Sequence, residues 1–464
     1  MEINGLTCDS RQVEPGFVFA AIPGTQLDGR DFIPDALERG AVCVMAPPGT
    51  TVESSAPVLT AANPRRQYAL MAANFFETQS RTIAAVTGTN GKTSVVSFLR
   101  QIWTRLGHKA ASAGTLGIEA DGWEKRESLT TPDPADLHRD LRELAEAGVD
   151  HLALEASSHG LQQHRLDGVR VSLAAFTNLS RDHLDYHGDM DNYLAAKLRL
   201  FTDIIQPGGT VVINADAAHA GDVEAVAVKH GLAVFSFGDK GKDVRLVKAD
   251  VLADGHRLTL DIGGKSFDVT VPLLGGFQVS NALCALSLAI ASGCDADKAT
   301  RALEQLTGAP GRMQLAGLHP NSAAVYIDFA HTPDALENML QAMRLHTQKR
   351  LHLVFGCGGD RDAGKRPEMG AIAEKYADII IVTDDNPRNE SAAEIRRQIL
   401  DETRTAADIG DRAQAITDAV NGLEAGDILV IAGKGHEQGQ IVGEQTIPFD
   451  DLTHAQAALA KVTS

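Results

Sequence analysis

The stretch that decides the fold is Arg81-Thr-Ile-Ala-Ala-Val-Thr87, followed directly by Gly88-Thr-Asn-Gly-Lys-Thr93. The apolar run predicts a buried strand, and the residues after the loop predict a helix. Glycines let backbone N–H groups turn toward phosphate oxygens, and the helix N-terminus adds a favourable field. Lys92 can neutralise the β- and γ-phosphates, and the Thr93 hydroxyl suits a magnesium ion. The loop therefore predicts a nucleotide-phosphate site, although Val86 stands where the usual pattern has its first glycine.

Strand-like and helical segments alternate on both sides of this loop. Further strands are expected at 16–22, 41–45, 151–155, 171–176, 209–213, 324–329, 350–355, 378–383 and 427–431. Such alternation predicts parallel, doubly wound sheets. Gly308-Ala-Pro-Gly-Arg312 is the most linker-like break in the second half. We therefore expect an α/β protein of three domains, at residues 1–79, 80–310 and 311–464.

The charge balance excludes some classes of partner. The 464 residues include 43 basic and 61 acidic side chains, for a net charge of −18. Such a surface repels nucleic acid and anionic lipid, so neither is an expected partner. The five cysteines contain no CxxC pair, so we expect reduced thiols rather than disulfides or a zinc site. With no signal-peptide pattern and no long apolar run, we expect a cytoplasmic protein.

Eleven short motifs in order give the chain a specific resemblance to the Mur ligases, which build the peptide stem of peptidoglycan precursors. They are Asp9-Ser-Arg11, Gly88–Thr93, Thr130-Thr-Pro-Asp133, Glu155-Ala-Ser-Ser-His159, Asn178-Leu-Ser-Arg-Asp-His183, Tyr186-His-Gly188 leading to Lys197, Gly311-Arg312, Asp328-Phe-Ala-His331, Gly356–Arg366, Asp385-Asn-Pro-Arg388 and Gly433-Lys-Gly-His-Glu437. The resemblance covers nearly the whole chain. It implies a small N-terminal α/β domain, a central P-loop ATPase-like domain with a parallel sheet, and a C-terminal Rossmann-like domain.

The resemblance also implies a reaction. The γ-phosphate of ATP activates the terminal carboxylate of the substrate as an acyl phosphate, and an amine attacks it to give an amide, ADP and phosphate. The implied substrates are UDP-N-acetylmuramoyl-L-alanyl-D-glutamate and meso-diaminopimelate. The three domains would bind the UDP-sugar, ATP and the amino acid, in that order along the chain, and we expect a monomer.

The implied ATP contacts lie in the loop and in four later positions. They are Gly88, Thr89, Asn90, Gly91, Lys92, Thr93, Ser94, Asn281, Arg312, Asp328 and His331. Near Asn281, Gln278 stands where the family usually has asparagine. Between Asp328 and His331, Phe329 stands where the family usually has tyrosine. Phosphoryl transfer to a carboxylate brings negative charges together, so cations must offset them.

Lys92, His183 and Lys197 are the implied catalytic residues, and Thr93, Glu155, His183 and Lys197 the implied Mg²⁺ ligands. Lys197 follows Tyr193 by four residues, so both side chains would share one helix face. A lysine at such a position is ordinarily solvated. The family carries a carbamylated lysine at the matching position, which implies a CO₂-derived carbamate on Lys197.

The resemblance divides the remaining site residues between two substrates. The UDP-N-acetylmuramoyl-dipeptide set is Cys8, Ser10, Thr25, Gln26, Leu27, Thr130, Thr131, Ser157, Gln163 and Arg165. The diaminopimelate set is Arg361, Asp385, Asn386, Pro387, Arg388, Gly433 and Glu437. Arg388 presents a planar fork to a carboxylate, which meso-diaminopimelate has at its far end and lysine lacks. Glu437 suits the ammonium group of the amino acid.

Four alternatives remain at this point. A lysine-adding homologue would place Arg388 against a cation, which disfavours it. Folylpolyglutamate synthetase shares the fold and the loop, but Asp9-Ser-Arg11 and Asp385–Arg388 argue against it. A P-loop switch protein would hydrolyse nucleotide without these substrates. A dehydrogenase would use Gly356-Cys-Gly-Gly-Asp360 as a dinucleotide loop, which is weak evidence.

Overall fold

The computed structural model describes residues 2–24, 27–125, 129–252 and 254–463. The first sheet has four short strands, and two helices accompany it. These are β1 (Gly5–Thr7), β2 (Phe17–Ala20), α1 (Ile33–Glu38), β3 (Cys43–Ala46), β4 (Val58–Thr60) and α2 (Pro64–Phe76). The four strands pair in parallel in chain order. Helix α2 begins where the Asn63 side chain accepts from the Arg66 amide, with Pro64 in its first turn.

The second sheet has eleven strands. Its elements are β5 (Thr82–Thr87), α3 (Lys92–Arg105), β6 (Ala110–Gly114), β7 (Gly117–Ala120), β8 (Trp123–Lys125), α4 (Pro134–Glu146), β9 (His151–Glu155), α5 (Ser158–Gln162), β10 (Val171–Phe176), α6 (Leu184–His187), α7 (Met190–Arg199), β11 (Ile205–Asn214), α8 (Ala220–Lys229), β12 (Ala233–Gly238), β13 (Val244–Leu252), β14 (Gly255–Ile262), β15 (Lys265–Val271), α9 (Gly276–Ala291) and α10 (Ala296–Ala302). The strand order is β15-β14-β13-β12-β11-β10-β5-β9-β6-β7-β8.

The parallel part of this sheet runs from β13 to β6, with β5 near its centre. Apolar side chains of α3 and α9 cover one face, and those of α4 and α8 cover the other. The antiparallel strands β7, β8, β14 and β15 are additions that the sequence did not predict. The turn between β14 and β15 uses Gly263 and Gly264, both at positive φ, as a tight hairpin requires.

The third sheet follows in the last part of the chain. Its elements are β16 (Gln314–Leu318), β17 (Ala324–Asp328), α11 (Pro333–His346), β18 (Leu351–Phe355), α12 (Lys365–Tyr376), β19 (Ile379–Val382), α13 (Ala392–Leu400), β20 (Ala407–Asp408), α14 (Arg412–Asn421), β21 (Ile428–Ala432) and α15 (Asp451–Thr463), with a separate hairpin of β22 (Gly439–Val442) and β23 (Gln445–Pro448). The order β16-β17-β21-β18-β19-β20 is parallel except for β16.

The expected α/β class and three-domain architecture are confirmed, while the domain boundaries at residues 79 and 310 stay a prediction. The sheets lie within residues 5–60, 82–271 and 314–432, so both boundaries fall between sheets. Within the described ranges, no helix combines the length and apolar character that crossing a membrane requires.

Candidate active site

The loop at the carboxyl end of β5 depends on two glycines. Gly91 has a φ of +87° and precedes α3, and a Cβ atom there would lie 2.3 Å from Asn281 Oδ1. A Cβ atom on Gly88 would lie 1.9 Å from Thr177 Oγ1. Helix α3 has no side-chain cap, which leaves its N-terminus suited to an anion. The loop has the backbone that phosphate binding requires.

Two lysines converge on this loop. Lys92 Nζ donates to the carbonyl oxygens of Gly88 and Thr89 at 2.9 and 2.8 Å. Lys197 Nζ donates to Gly88 O at 2.7 Å and lies 4.3 Å from the centroid of the Tyr193 ring. Both Tyr193 and Lys197 are on α7, as their spacing predicted. Lys197 is buried rather than solvated, and burial, with Lys92 nearby, lowers its pKa well below the ordinary lysine value.

Oxygen donors lie near the loop. Glu155 ends β9 and is buried, and its Oε1 and Oε2 accept from the amide and hydroxyl of Thr115 at 2.9 and 3.1 Å. Thr93 lies in the first turn of α3, and its hydroxyl accepts from Arg312 Nη2 at 3.3 Å. Carboxylate and hydroxyl oxygens fit a magnesium ion. The donor set therefore agrees with the expected metal.

His183 lies among other histidines. Its backbone has a φ of +53°, and its Nε2 is 3.2 Å from Asp182 Oδ2. Its ring makes an edge contact with His159, with centroids 4.8 Å apart. Burial lowers the pKa of His183 to about 4. The positive charge of Lys92 lowers it further, whereas the negative charge of Asp182 acts in the opposite direction. The imidazole is therefore neutral near pH 7, the form that can accept a proton or bind a metal.

Residues of the C-terminal part of the chain, beyond residue 310, contact the loop directly. The Arg312 guanidinium that contacts Thr93 lies 4.2 Å from the centroid of the Phe329 ring. Asn90 Nδ2 donates to Asp334 Oδ2 at 3.0 Å. The Asp328 carboxylate accepts from the amides of Met313 and Ala330, both at 2.8 Å. The central and C-terminal parts of the chain therefore meet at the phosphate loop.

A cavity of about 540 Å³, here called the loop cavity, collects most of the expected ATP and metal residues. Its lining includes Thr89, Asn90, Gly91, Lys92, Thr93, Ser94, Thr130, Glu155, Ser157, His183, Lys197, Asn281, Arg312, Asp328 and His331. The substituted Gln278 also lines it and accepts from Asn281 Nδ2 at 2.9 Å.

A second cavity of about 300 Å³, here called the Arg388 cavity, adjoins the first. Its lining includes Arg361, Asp385, Asn386, Arg388, Gly433 and Glu437, six of the seven residues expected to bind the amino acid. Asp182, His183, Phe329 and His331 line both cavities. The two cavities therefore share a wall.

The backbone of Arg388 has a strained conformation that neighbouring hydrogen bonds hold in place. Its φ of +51° is in the left-handed region, which costs energy for a residue other than glycine. Its amide donates to Ile441 O at 3.0 Å, and its carbonyl accepts from the Gly443 amide at 2.8 Å, so the β22–β23 hairpin fixes its backbone. Its Nη1 donates to Gly359 O at 2.9 Å. Burial and the nearby Arg361 lower the pKa of Arg388.

A buried lysine organises the acidic side of the Arg388 cavity. Lys434 Nζ donates to Asn386 Oδ1 at 3.0 Å and to Glu437 Oε2 at 3.1 Å. Asn386 Nδ2 donates to the same Glu437 oxygen at 2.8 Å. Gly433, with a φ of +110°, allows Asp385 to approach, since a Cβ atom there would lie 2.9 Å from Asp385 Oδ2. Pro387 stands between Asn386 and Arg388 without lining the cavity.

The residues expected to bind the dipeptide form a hydrogen-bonded chain. Thr131 and Ser157 hydroxyls lie 2.9 Å apart, and Thr130 bonds to the Thr115 hydroxyl at 2.9 Å. Arg165 donates to Thr131 O and to Gln163 Oε1, both at 2.7 Å. This chain extends from the loop cavity, which Thr130 and Ser157 line.

The N-terminal residues of the set lie apart from this chain. Cys8 Sγ donates to Asp133 Oδ2 at 3.2 Å, which links the first sheet to α4. Ser10 is buried, and Leu27 is exposed. Thr25 and Gln26 lie outside the described residues.

Asp182, Tyr186 and Lys434 are among the site residues that the sequence analysis did not select. Asp182 lies inside a quoted motif beside His183, and Tyr186 begins another and accepts from Gln163 Nε2 at 3.0 Å. Lys434 lies in the motif that ends at Glu437. Each could have been selected from its motif, because charged or phenolic groups beside expected ligands are candidates for support.

The fold and the two adjoining cavities define an α/β enzyme with a phosphate-type loop in one cavity and charged side chains lining the other. Comparison with protein families matches the Mur ligase family catalytic domain at residues 2–81, the Mur ligase middle domain at 86–289 and the Mur ligase glutamate ligase domain at 311–435. The chain belongs to the Mur ligase family.

Individual relatives agree along the full length. A UDP-N-acetylmuramoyl-L-alanyl-D-glutamate--2,6-diaminopimelate ligase of Agrobacterium fabrum is 49% identical over 462 residues, covering 100% of this chain and 94% of the relative. One from Bradyrhizobium diazoefficiens is 51% identical over 467 residues, covering 99% and 95%. A solved structure of an enzyme with the same name is 34% identical, with a TM-score of 0.72, and the match covers 100% of this chain and 96% of that one.

Proposed function

We propose that this enzyme joins meso-diaminopimelate to UDP-N-acetylmuramoyl-L-alanyl-D-glutamate, using ATP, in the synthesis of peptidoglycan precursors. The observation that carries the proposal is the shared wall of the loop cavity and the Arg388 cavity. A carboxylate activated beside the loop and an amine held in the Arg388 cavity would meet at His183 and His331. The names of the relatives at 49–51% identity support the same substrates.

The first step would transfer the γ-phosphoryl group of ATP to the terminal carboxylate of the UDP-linked dipeptide, giving an acyl phosphate and ADP. Lys92 and Arg312 face the cavity with positive charge that offsets the incoming phosphates. Lys92 Nζ already donates to Gly88 O and Thr89 O, which holds the ammonium group at the loop. Thr130, Thr131, Ser157, Gln163 and Arg165 would hold the muramoyl-dipeptide, with Cys8, Ser10, Thr25, Gln26 and Leu27 toward its UDP end.

Mg²⁺, held by Thr93, Glu155, His183 and carbamylated Lys197, would neutralise charge on the phosphates. The carbamate is supported by the environment of Lys197. Reaction with CO₂ needs a neutral amine, and burial lowers the pKa of Lys197. The product is an anion, which would remove one of two cations at Gly88 O and supply oxygen donors.

In the second step the amine would attack the acyl carbon, forming the amide and releasing phosphate. The Arg388 cavity carries cationic groups at Arg361 and Arg388 and anionic groups at Asp385 and Glu437. This mixture matches an amino acid with two carboxylates and two ammonium groups. Arg388 would pair with the far carboxylate, and Glu437 with an ammonium group.

Phosphate release from ATP tests the proposal. The complete reaction should release phosphate with UDP-N-acetylmuramoyl-L-alanyl-D-glutamate and meso-diaminopimelate together, and much less when either is omitted. Replacing meso-diaminopimelate by L-lysine should abolish turnover. Equal turnover with L-lysine would contradict the assigned amino acid, and release that needs neither substrate would contradict the ligase. The monomeric state and the cytoplasmic location stay predictions.

A further inference from the structure

A fully buried ion pair lies close to the Arg388 cavity. Arg412 Nε and Nη2 donate to Asp451 Oδ1 and Oδ2, both at 2.7 Å, and both side chains are completely enclosed. Arg412 is the first residue of α14 and Asp451 the first of α15. Apolar side chains of both helices pack on one face of the third sheet. The ion pair therefore connects the N-terminal ends of two neighbouring helices.

The same guanidinium also bonds the backbone at the start of two loops that line the cavity. Arg412 Nη2 donates to Ala432 O at 2.9 Å, and Nη1 donates to Asp384 O at 3.4 Å. Ala432 ends β21 and immediately precedes Gly433, and Asp384 immediately precedes Asp385. Gly433 and Asp385 both line the Arg388 cavity. One side chain therefore holds the starting points of both loops.

The charge of Arg412 also acts toward the cavity. Burial alone would lower the pKa of Arg412, but the pKa is raised, because Asp451 and, at longer range, Asp385 and Glu437 stabilise the guanidinium. Asp385 and Glu437 are the carboxylates of the Arg388 cavity to which the anionic character of its lining was assigned. Arg412 therefore interacts with the cavity by charge as well as by hydrogen bonds.

We propose that Arg412 is a positioning residue for the amino-acid substrate: held by Asp451, it fixes the relative placement of the loops that carry Arg388 and Glu437. The proposal rests on the proposed function, in which these two side chains bind one amino acid. Arg412 lines neither cavity, so it would act only through the loops. Lys434 joins the same loops at their side chains, whereas Arg412 joins their backbones. Binding groups require such support to keep a fixed separation.

The competing interpretation is that the ion pair only stabilises the fold. A buried ion pair is weak evidence for that role, because the desolvation of both charges offsets much of their attraction. Asp451 also takes only part of the donor capacity of Arg412, and the other N–H groups reach the carbonyls that begin the two loops. A purely structural role predicts no selective effect on one of the three substrates, and this difference can be measured.

Steady-state kinetics of the full-length enzyme, with each substrate varied in turn, test the proposal in R412M/D451L. The double variant removes both bonds to the loops without leaving one buried charge unpaired. We expect kcat/KM for meso-diaminopimelate to fall by about 10–100-fold, mainly through KM, because small misplacements of binding groups have effects of this size. KM for ATP and KM for the UDP-linked dipeptide should stay close to the parent values.

Two further variants separate positioning from stability. R350M is the matched control, because Arg350 Nη2 donates to the buried Asp427 carboxylate at 2.6 Å, immediately before β21 begins and thus at its opposite end. R350M should keep the parent KM for meso-diaminopimelate whatever its melting temperature. R412K keeps a cation beside Asp451 but is shorter and has one nitrogen in place of the planar fork. R412K should raise KM for meso-diaminopimelate, and it carries the test if the double variant fails to fold.

Hydrogen exchange of backbone amides distinguishes failure of this proposal from failure of the proposed function. Peptides covering 384–390 and 432–438 should exchange faster in R412M/D451L or R412K than in the parent, whereas those covering 351–355 should not. A parent without turnover of meso-diaminopimelate would contradict the proposed function, while exchange would still decide whether Arg412 holds the loops.

Three outcomes would overturn the positioning role in an active parent. They are a parent-like KM for meso-diaminopimelate in the Arg412 variants that fold, KM values raised equally for all three substrates, and an equal rise in R350M. Unchanged exchange in both loops would overturn it as well, whether or not the parent is active.

Discussion

Lys92 and Lys197 donate hydrogen bonds to one oxygen, the carbonyl of Gly88, at 2.9 and 2.7 Å. Two ammonium groups on one acceptor repel each other in a buried setting, and the pKa of each lysine is lowered, chiefly by burial. The repulsion between the two ammonium groups disappears when one lysine becomes neutral or anionic. It therefore favours chemical change at the more deeply enclosed Lys197.

Replacing Lys197 by alanine should reduce kcat by about 100-fold or more, because one preorganised group near the transferred phosphoryl is lost. Intact mass spectrometry of the native protein in bicarbonate buffer should show one added carbamate, and K197A should lack it. An unmodified parent together with near-normal activity of K197A would contradict this role. Lys229, an exposed lysine at the end of α8, gives the matched control K229A.

Arg388→Ala should lower kcat/KM for meso-diaminopimelate by about 30-fold or more, since a charge-assisted contact in a partly buried cavity is lost. ATP affinity should change little, because Arg388 lies outside the loop cavity. Steady-state phosphate release with each substrate varied separately measures both. Arg404 is exposed and does not line the cavity, so R404A should behave as the parent. An equal loss in ATP affinity would argue against a role confined to the amino acid.

Replacing Arg312 and replacing Arg181 should have very different effects on KM for ATP, although both side chains join the central and C-terminal parts of the chain. Arg312 is enclosed between Thr93 and Phe329, so R312A should raise KM for ATP by about tenfold or more. Arg181 pairs with Asp362 and Glu368 at 3.4 and 3.2 Å but is half exposed, and exposed pairs contribute only about 0–1 kcal/mol. R181A should therefore change KM for ATP by less than about fivefold. Similar effects in both variants would contradict the contrast.

Acidification should destabilise the fold through buried neutral histidines. Burial lowers the pKa of His138 to about 4, whereas the unfolded chain takes up the proton near its ordinary value. Between the ordinary histidine pKa and about pH 4, the unfolded state therefore binds more protons than the folded state. The free energy of unfolding decreases as the pH falls through this range. His138 alone should remove up to about 2 kcal/mol from the free energy of unfolding between about pH 7 and about pH 5.

Urea unfolding at both pH values checks this expectation. H138Q, which keeps an amide donor for Asp167 O, should show a smaller pH dependence than the parent. H230A replaces an exposed histidine and should keep the full dependence. A parent whose stability is the same at both pH values would contradict the interpretation.

The sequence was most informative where local chemistry determines structure. The buried run before Gly88 and the loop itself predicted β5, the turn and α3, and the strands at 151–155 and 171–176 were predicted to the residue. The motifs also selected most of the expected ATP and metal residues, which line the loop cavity, and most of the expected amino-acid residues, which line the Arg388 cavity. The roles assigned to those residues stay predictions.

Other features depend on contacts between distant segments. The burial of Lys197 could not be read from α7, because the covering loop is about a hundred residues earlier. The antiparallel strands β14 and β15 have mixed exposure, which gave too weak a pattern for prediction. Lys434 gains its importance only through Asn386, nearly fifty residues away.

The hairpin β22–β23 that fixes the backbone of Arg388 has a consequence for protein engineering. Residues 385–388 acquire their shape from residues 441 and 443, so the tetrapeptide is only part of the unit that selects the amino acid. Grafting it alone into a homologue with different selectivity should leave the arginine free to relax from its left-handed conformation. A transferable module would have to carry 439–448 as well.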